Sequence, residues 1–330
     1  MEKIKVLLVD DEKDNLELLY RTLRHDYLVE KTTSPLEALE MLDTKYFDII
    51  LSDHKMPEMD GVEFLKRSCE LSPQSVRLLV TAYSDANILI DAINEGKIFR
   101  YLKKPWEPAE LIMVMQTAVD FSKLKQENDR LIYDLKKLFS GTVNAIIEAL
   151  DAKDSFTLGR SRRVTMLSML VAKKMNFPPE EIGKLELAGL LHDIGMIGVS
   201  EEILNKIEAL TPYEYEMIKK HVEYGVRILE DIKQLKEVIE IIKTHHEKYD
   251  GSGYPLGIKG DEIPISARII AVADAYDSMV SQRSYRQGLS HDEAIKRIEL
   301  EKGRQFDPDV ADVFLEVIPE AIKYLDEAND

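Results

Sequence analysis

His245-His246-Glu247-Lys248-Tyr249-Asp250-Gly251-Ser252-Gly253-Tyr254-Pro255 decides how the second half of this chain folds. Two adjacent histidines close an apolar-periodic segment that reads as a helix. The Asp-Gly-x-Gly-x-Pro run then turns the backbone sharply, with glycine supplying positive φ and proline fixing the exit. Histidine is the commonest metal ligand, and neighbouring imidazoles can serve one ion or line one cavity. An ordinary helix end followed by a turn needs no such pair. The question is therefore whether further ligands exist.

Outward from this stretch the periodicity is helical, over 164–175, 182–191, 215–230, 234–244, 265–280 and 291–299, with no convincing strand pattern. Leu187-Ala-Gly-Leu-Leu-His192-Asp193 is an apolar helix ending in a His-Asp pair. A carboxylate there is costly unless paired or metal-bound. Adjacent helical residues point about 100° apart, so one ion can take His192 while Asp193 reaches towards a second. His221 stands at a helix start, and Asp274 lies inside the apolar Ile269–Asp277 segment. His25, His54 and His291 stand alone and are expected at the surface. Six ligand-type residues gathered in one helical domain have no comparable structural explanation.

The order His192-Asp193, His221, His245-His246, Asp274, with Gly253-Tyr254-Pro255, resembles the HD-GYP family of metal-dependent cyclic-di-GMP phosphodiesterases. Arg283-Ser-Tyr285-Arg286 and Phe306-Asp307-Pro308 support the resemblance, which covers residues 141–318. It implies an all-α HD-type domain with a di-metal centre and His192-Asp193 as the catalytic pair. Asp193 would bridge, His192 and Asp274 would hold one ion, and His221, His245 and His246 the other. Such mixed ligands suit Fe, Mn or Zn, and two ions can activate a hydroxide for in-line attack at phosphorus. Arg283 and Arg286 match positions that grip the substrate phosphates.

Three positions depart from the family pattern. Arg160 stands where the first histidine of the metal site is expected. Phe156 replaces an acid used by members with a third metal, and Met196 replaces a lysine near a substrate phosphate. The residues then admit three readings: a two-metal phosphodiesterase with reduced rate or altered product, a metal- and dinucleotide-binding interaction module without turnover, or a hydrolase of another phosphate ester.

Upstream, residues 106–150 contain no proline after Pro108 and no glycine before Gly141, which predicts one long helix. Leu124, Asn128, Leu131, Leu135 and Leu138 follow the 4-3-4-3 spacing of a coiled-coil seam, with Asn128 suited to fixing register. A homodimer through this helix is expected.

The first 120 residues alternate strand runs (4–9, 47–51, 76–80, 98–102) with helical patterns (13–24, 35–43, 58–70, 84–95), arguing a doubly wound parallel sheet. Asp10, Asp11, Asp53, Thr81 and Lys104 all fall at carboxyl ends of strands, where such sheets bind ligands. Crowded carboxylates with hard oxygens suit Mg²⁺. Ser52-Asp53-x-x-Met56-Pro57-x-Met59-Asp60-Gly61 resembles the receiver domain of two-component response regulators. That implies a five-stranded sheet, phosphorylation of Asp53 by a histidine kinase, Mg²⁺ at Asp10, Asp11 and Asp53, and a switch made of Thr81, Tyr101 and Lys104. The expected organisation is a receiver over 1–120, a helical linker over 121–140 and the HD-GYP domain over 141–330.

At 330 residues and a net charge of −17, with both halves acidic, the chain lacks the electrostatic footprint of a DNA-binding protein. The single cysteine, Cys69, excludes an intrachain disulfide. The N-terminal residues resemble no signal peptide and no apolar run reaches membrane-spanning length, so a cytoplasmic protein without membrane partners is expected.

Overall fold

The computed structural model describes residues 3–82, 97–153, 159–206, 208–281 and 287–327. The chain forms two compact units, Met1–Lys137 and Leu138–Asp330. The predicted helix over 84–95, Phe156, and the pair Arg283 and Arg286 lie outside the described residues.

The first unit is a parallel sheet of five strands: β1 (Lys5–Val9), β2 (Leu28–Thr32), β3 (Ile49–Asp53), β4 (Val76–Thr81) and β5 (Arg100–Lys103), in the order β2-β1-β3-β4-β5. Successive side chains of a strand point to opposite faces, and both faces here are covered, so the central strands are mostly apolar; Arg77 of β4 is buried with its guanidinium hydrogen-bonded to Ser68, Ser72 and Ser75. Val6 and Leu8 meet α1 (Lys13–Leu23) and the start of α4 (Pro108–Lys153), through Leu16, Leu19, Leu111 and Met115. Leu7 and Val9 face the opposite way, towards α2 (Pro35–Thr44) and α3 (Gly61–Leu71), through Ala38, Leu42, Phe64 and Leu65. Asp60 caps α3, accepting from Glu63 N at 2.8 Å. The strand β2 was absent from the sequence pattern because it is a polar edge strand, Leu-Val-Glu-Lys-Thr, with only Thr32 buried.

The connector is one continuous helix, α4, as the absence of breakers predicted. Its first turns pack on the sheet. Leu124, Leu131, Leu135 and Leu138 are each 60–68% exposed, and Val143, Ile147 and Leu150 turn into the core of the second unit.

That unit is helical: α5 (Arg160–Lys174), α6 (Pro179–Leu191), a 3₁₀ turn (Ile194–Gly198), α7 (Glu201–Leu204), α8 (Pro212–Lys219), α9 (His221–Leu229), α10 (Lys236–Thr244), α11 (Ile265–Val280), α12 (His291–Leu300) and α13 (Pro308–Glu327). The segment predicted as one helix over 215–230 breaks at Lys220, which puts His221 at the start of α9. Among the described residues, no helix is long and apolar enough to cross a membrane.

Candidate metal centre and phosphoacceptor pocket

Four helix termini and one helix interior meet at one place in the second unit. His192 and Asp193 follow the end of α6, His221 opens α9, and His245 and His246 follow α10. Asp274 lies within α11, and Arg160 begins α5. The 3₁₀ turn after Asp193 packs directly on α9. A Cβ added at Gly195 would lie 1.8 Å from the His221 carbonyl oxygen, so only glycine permits this approach. Lys153, the last residue of α4, donates to the carbonyls of Met196 (3.3 Å), Ile197 and Val199 (2.7 Å), bracing the same turn.

The ligand-type atoms fall into two groups that share Asp193. Asp193, His221, His245 and His246 form one, His192, Asp193 and Asp274 the other, and within each group the atoms lie within 4.8 Å of one another. Three imidazoles are set the same way: Nδ1 of His192, His221 and His245 donates to the carbonyl three residues earlier, Gly189 (2.8 Å), Ile218 (2.7 Å) and Ile242 (2.5 Å). Their Nε2 atoms are buried and make no hydrogen bond to any described residue. A ring whose second nitrogen is tied to a carbonyl is the usual arrangement of a metal-ligating histidine.

Electrostatics divides the two groups. Burial, reinforced by neighbouring imidazoles, holds His245 well below the ordinary histidine range and His246 at about 3, so both offer neutral lone pairs. Burial also opposes a charge on His192, yet Asp193 and Asp274 raise its pKa to about 10; their oxygens lie 3.2 and 3.4 Å from Nε2. Burial disfavours both carboxylates, but His192 chiefly keeps Asp193 ionised and Arg160 chiefly keeps Asp274 ionised. Arg160 Nη2 lies 2.6 Å from Asp274 Oδ1, its Nε 3.4 Å from Asp193 Oδ2 and its Nη1 3.8 Å from Asp277 Oδ2. Asp277 also accepts from Arg163 Nε at 2.6 Å. Asp277 and Arg163 were not singled out from sequence, although Asp277 sits three residues after Asp274, on the same helix face.

The groups open onto a cavity of about 1090 Å³ whose lining includes Met196, Tyr215, Tyr254, Lys206, Lys248 and Arg304. Tyr254 stacks on His246 at 4.8 Å, and burial holds its phenol protonated. The loop from Tyr249 to Pro255 is pinned by buried Glu247, which accepts from Leu256 N (2.6 Å) and Gly257 N (3.1 Å), and Gly251 has the expected positive φ of 85°.

In the first unit Asp10, Asp11 and Asp53 bring carboxylate oxygens within 4.8 Å of one another at the ends of β1 and β3. Lys104 lies 3.2 Å from Asp10 and pairs with Asp53. Burial lowers the lysine pKa and raises that of Asp10; the two carboxylates more than offset burial at Lys104 and keep it charged. Thr81 ends β4, fully buried, and Tyr101 on β5 is 43% exposed. His54, expected alone at the surface, is instead half-buried with Nδ1 3.1 Å from the Thr81 hydroxyl. His291 likewise has a partner, the Tyr276 hydroxyl at 2.6 Å, and His25 is exposed.

Two family models match the chain: the response regulator receiver domain over residues 6–116 and the HD domain over residues 144–310. The chain is 30% identical to the cyclic di-GMP phosphodiesterase response regulator RpfG of Xanthomonas campestris, across 94% of this chain and 87% of that protein. It is 32% identical to a cyclic di-GMP phosphodiesterase of Thermotoga maritima, across 94% of this chain and 90% of that one. A 3'3'-cGAMP-specific phosphodiesterase of Vibrio cholerae is 35% identical over 58% of this chain and 37% of its own length. Receiver first and HD domain second, this chain belongs to the family of cyclic di-GMP phosphodiesterase response regulators.

Proposed function

We propose that this chain is a phosphorylation-controlled, metal-dependent phosphodiesterase acting on cyclic-di-GMP. The observation that carries the reading is the group Asp193, His221, His245 and His246 facing a large cavity, with His221 and His245 tethered at Nδ1 and making no hydrogen bond at Nε2 to any described residue. Three imidazoles and a carboxylate fit a transition ion such as Fe, Mn or Zn. Such an ion, when bound, supplies an activated water and charge stabilisation at phosphorus. The protein's part is to hold neutral His245 and His246, to keep Asp193 ionised, and to line the cavity with Tyr254, Lys206 and Lys248. Aromatic faces beside basic groups suit purine bases joined by phosphates. Arg283 and Arg286 are assigned to the phosphates from the motif alone.

In the receiver, Asp53 accepts the phosphoryl group from a histidine kinase, with Asp10 and Asp11 completing a Mg²⁺ site and Thr81, Tyr101 and Lys104 reading the result. The exposed leucines of α4, at heptad spacing, support a homodimer seam that carries the signal onward. A second reading, a dinucleotide-binding module without turnover, is favoured by Arg160 among the carboxylates and Met196 at the cavity wall. Protein reloaded anaerobically with Mn²⁺ or Fe²⁺ and given labelled cyclic-di-GMP, with 3'3'-cGAMP as competitor, separates the two. Hydrolysis is expected. Binding without turnover establishes the module, and preferential cleavage of the competitor reassigns the substrate.

A further inference from the structure

The family pattern places a second ion between His192, Asp193 and Asp274, and the residues present do not fit one. That space is taken by the guanidinium of Arg160, whose three nitrogens each lie within 3.8 Å of a different carboxylate, Asp274, Asp193 and Asp277. The side chain is 11% exposed, and it enters from the first residue of α5. An arginine stays charged at every working pH, and its planar fork matches carboxylate geometry. An ion arriving there would have to displace a delocalised cation from three partners and leave it buried without them, which is costly.

Asp193 marks the division. Its Oδ2 faces Arg160 at 3.4 Å, and its Oδ1 faces His221 Nε2 at 3.6 Å. One oxygen is shared between the guanidinium and His192 Nε2, and the other is turned to the imidazole group. Asp277 is held from its other side by Arg163, with Nε at 2.6 Å and Nη2 at 3.1 Å. The carboxylates on this side of the centre are therefore neutralised by the protein's own cations.

We infer that the centre is mononuclear. One transition ion occupies the Asp193, His221, His245 and His246 group, and Arg160 is a resident cation in the neighbouring subsite. This rests on the metal-dependent reading above. The guanidinium also takes over the second charge beside the substrate phosphate, with N–H donors in place of a Lewis acid.

The test is a metal count on the full chain, stripped and reloaded anaerobically with Mn²⁺ under excess Mg²⁺, which keeps Mn²⁺ out of the receiver's Asp10, Asp11 and Asp53 site. Wild type is expected to bind about one ion per chain, and Arg160→His, which restores a ligand-type side chain, about two. Electron paramagnetic resonance of the loaded wild type should show magnetically isolated Mn²⁺, and His221→Ala should abolish that signal. Two ions in wild type, or an exchange-coupled pair, overturns the inference while leaving the phosphodiesterase reading in place. No ion in wild type overturns both. If Arg160→His does not fold, the wild-type count and spectrum still decide. One ion with no hydrolysis upholds the count and removes the enzyme.

Discussion

Each half of the molecule sets one basic side chain against a cluster of acids, and the two halves use different bases. In the receiver Lys104 reaches Asp10 and Asp53 with a single nitrogen at the ends of strands. In the helical unit Arg160 spreads three nitrogens over Asp193, Asp274 and Asp277 inside a buried centre. A lysine ammonium is a compact point charge on a flexible stem, whereas a guanidinium is a fixed fork. The lysine touches one oxygen of each carboxylate. The arginine fills its space. Acids facing a base thus describes both sites; on the readings proposed above, one receives a cation and an anion and the other already contains its cation.

The two sites are expected to part most sharply at Asp53. Asp53→Asn is expected to abolish labelling by acetyl phosphate and to leave the metal content of the helical half unchanged; labelling that persists would move the acceptor elsewhere. Next in size, His245→Ala should lose the bound ion and lower hydrolysis by about 10³-fold or more, several kcal/mol of transition-state stabilisation. Elemental analysis and a turnover assay check it, and retained ion would exclude His245 as a ligand. Gly195→Ala introduces a methyl group where the His221 carbonyl stands, and should lower the stability of the helical unit by about 3 kcal/mol. Its thermal midpoint measures this, and an unchanged midpoint would show that the 3₁₀ turn gives way easily. The smallest effect on either site is expected from Leu131→Lys with Leu135→Lys, which should turn a dimer into a monomer at micromolar concentration while leaving both pockets intact. Sedimentation velocity decides, and a wild type already monomeric removes the seam.

Much of this was legible in the residues. The acids at strand ends, the long connector and the six ligand-type residues of the helical half can all be placed from periodicity and spacing, because burial patterns carry that information. Three features could not be. The edge strand β2 alternates too weakly to be seen, since Glu30 and Lys31 are solvent-facing or half-buried. The helix α13 carries Pro319 in its interior, and no apolar period was read across it. The tethering of His192, His221 and His245 depends on main-chain carbonyls, which no residue type encodes. Arg160 was recognised as a departure, but its consequence needed geometry. A sequence shows that a ligand is missing and does not show where its replacement reaches.

Lys153 gives the connector a property of its own. One ammonium holds the carbonyls of Met196, Ile197 and Val199 in and just after the turn that follows Asp193, at the last residue of a continuous helix. Advancing a helix by one residue moves a side chain 1.5 Å along the axis and about 100° around it. Such a step displaces the base of the Lys153 side chain relative to these oxygens. The contact therefore ties the position of this helix end to the turn beside His192 and Asp193.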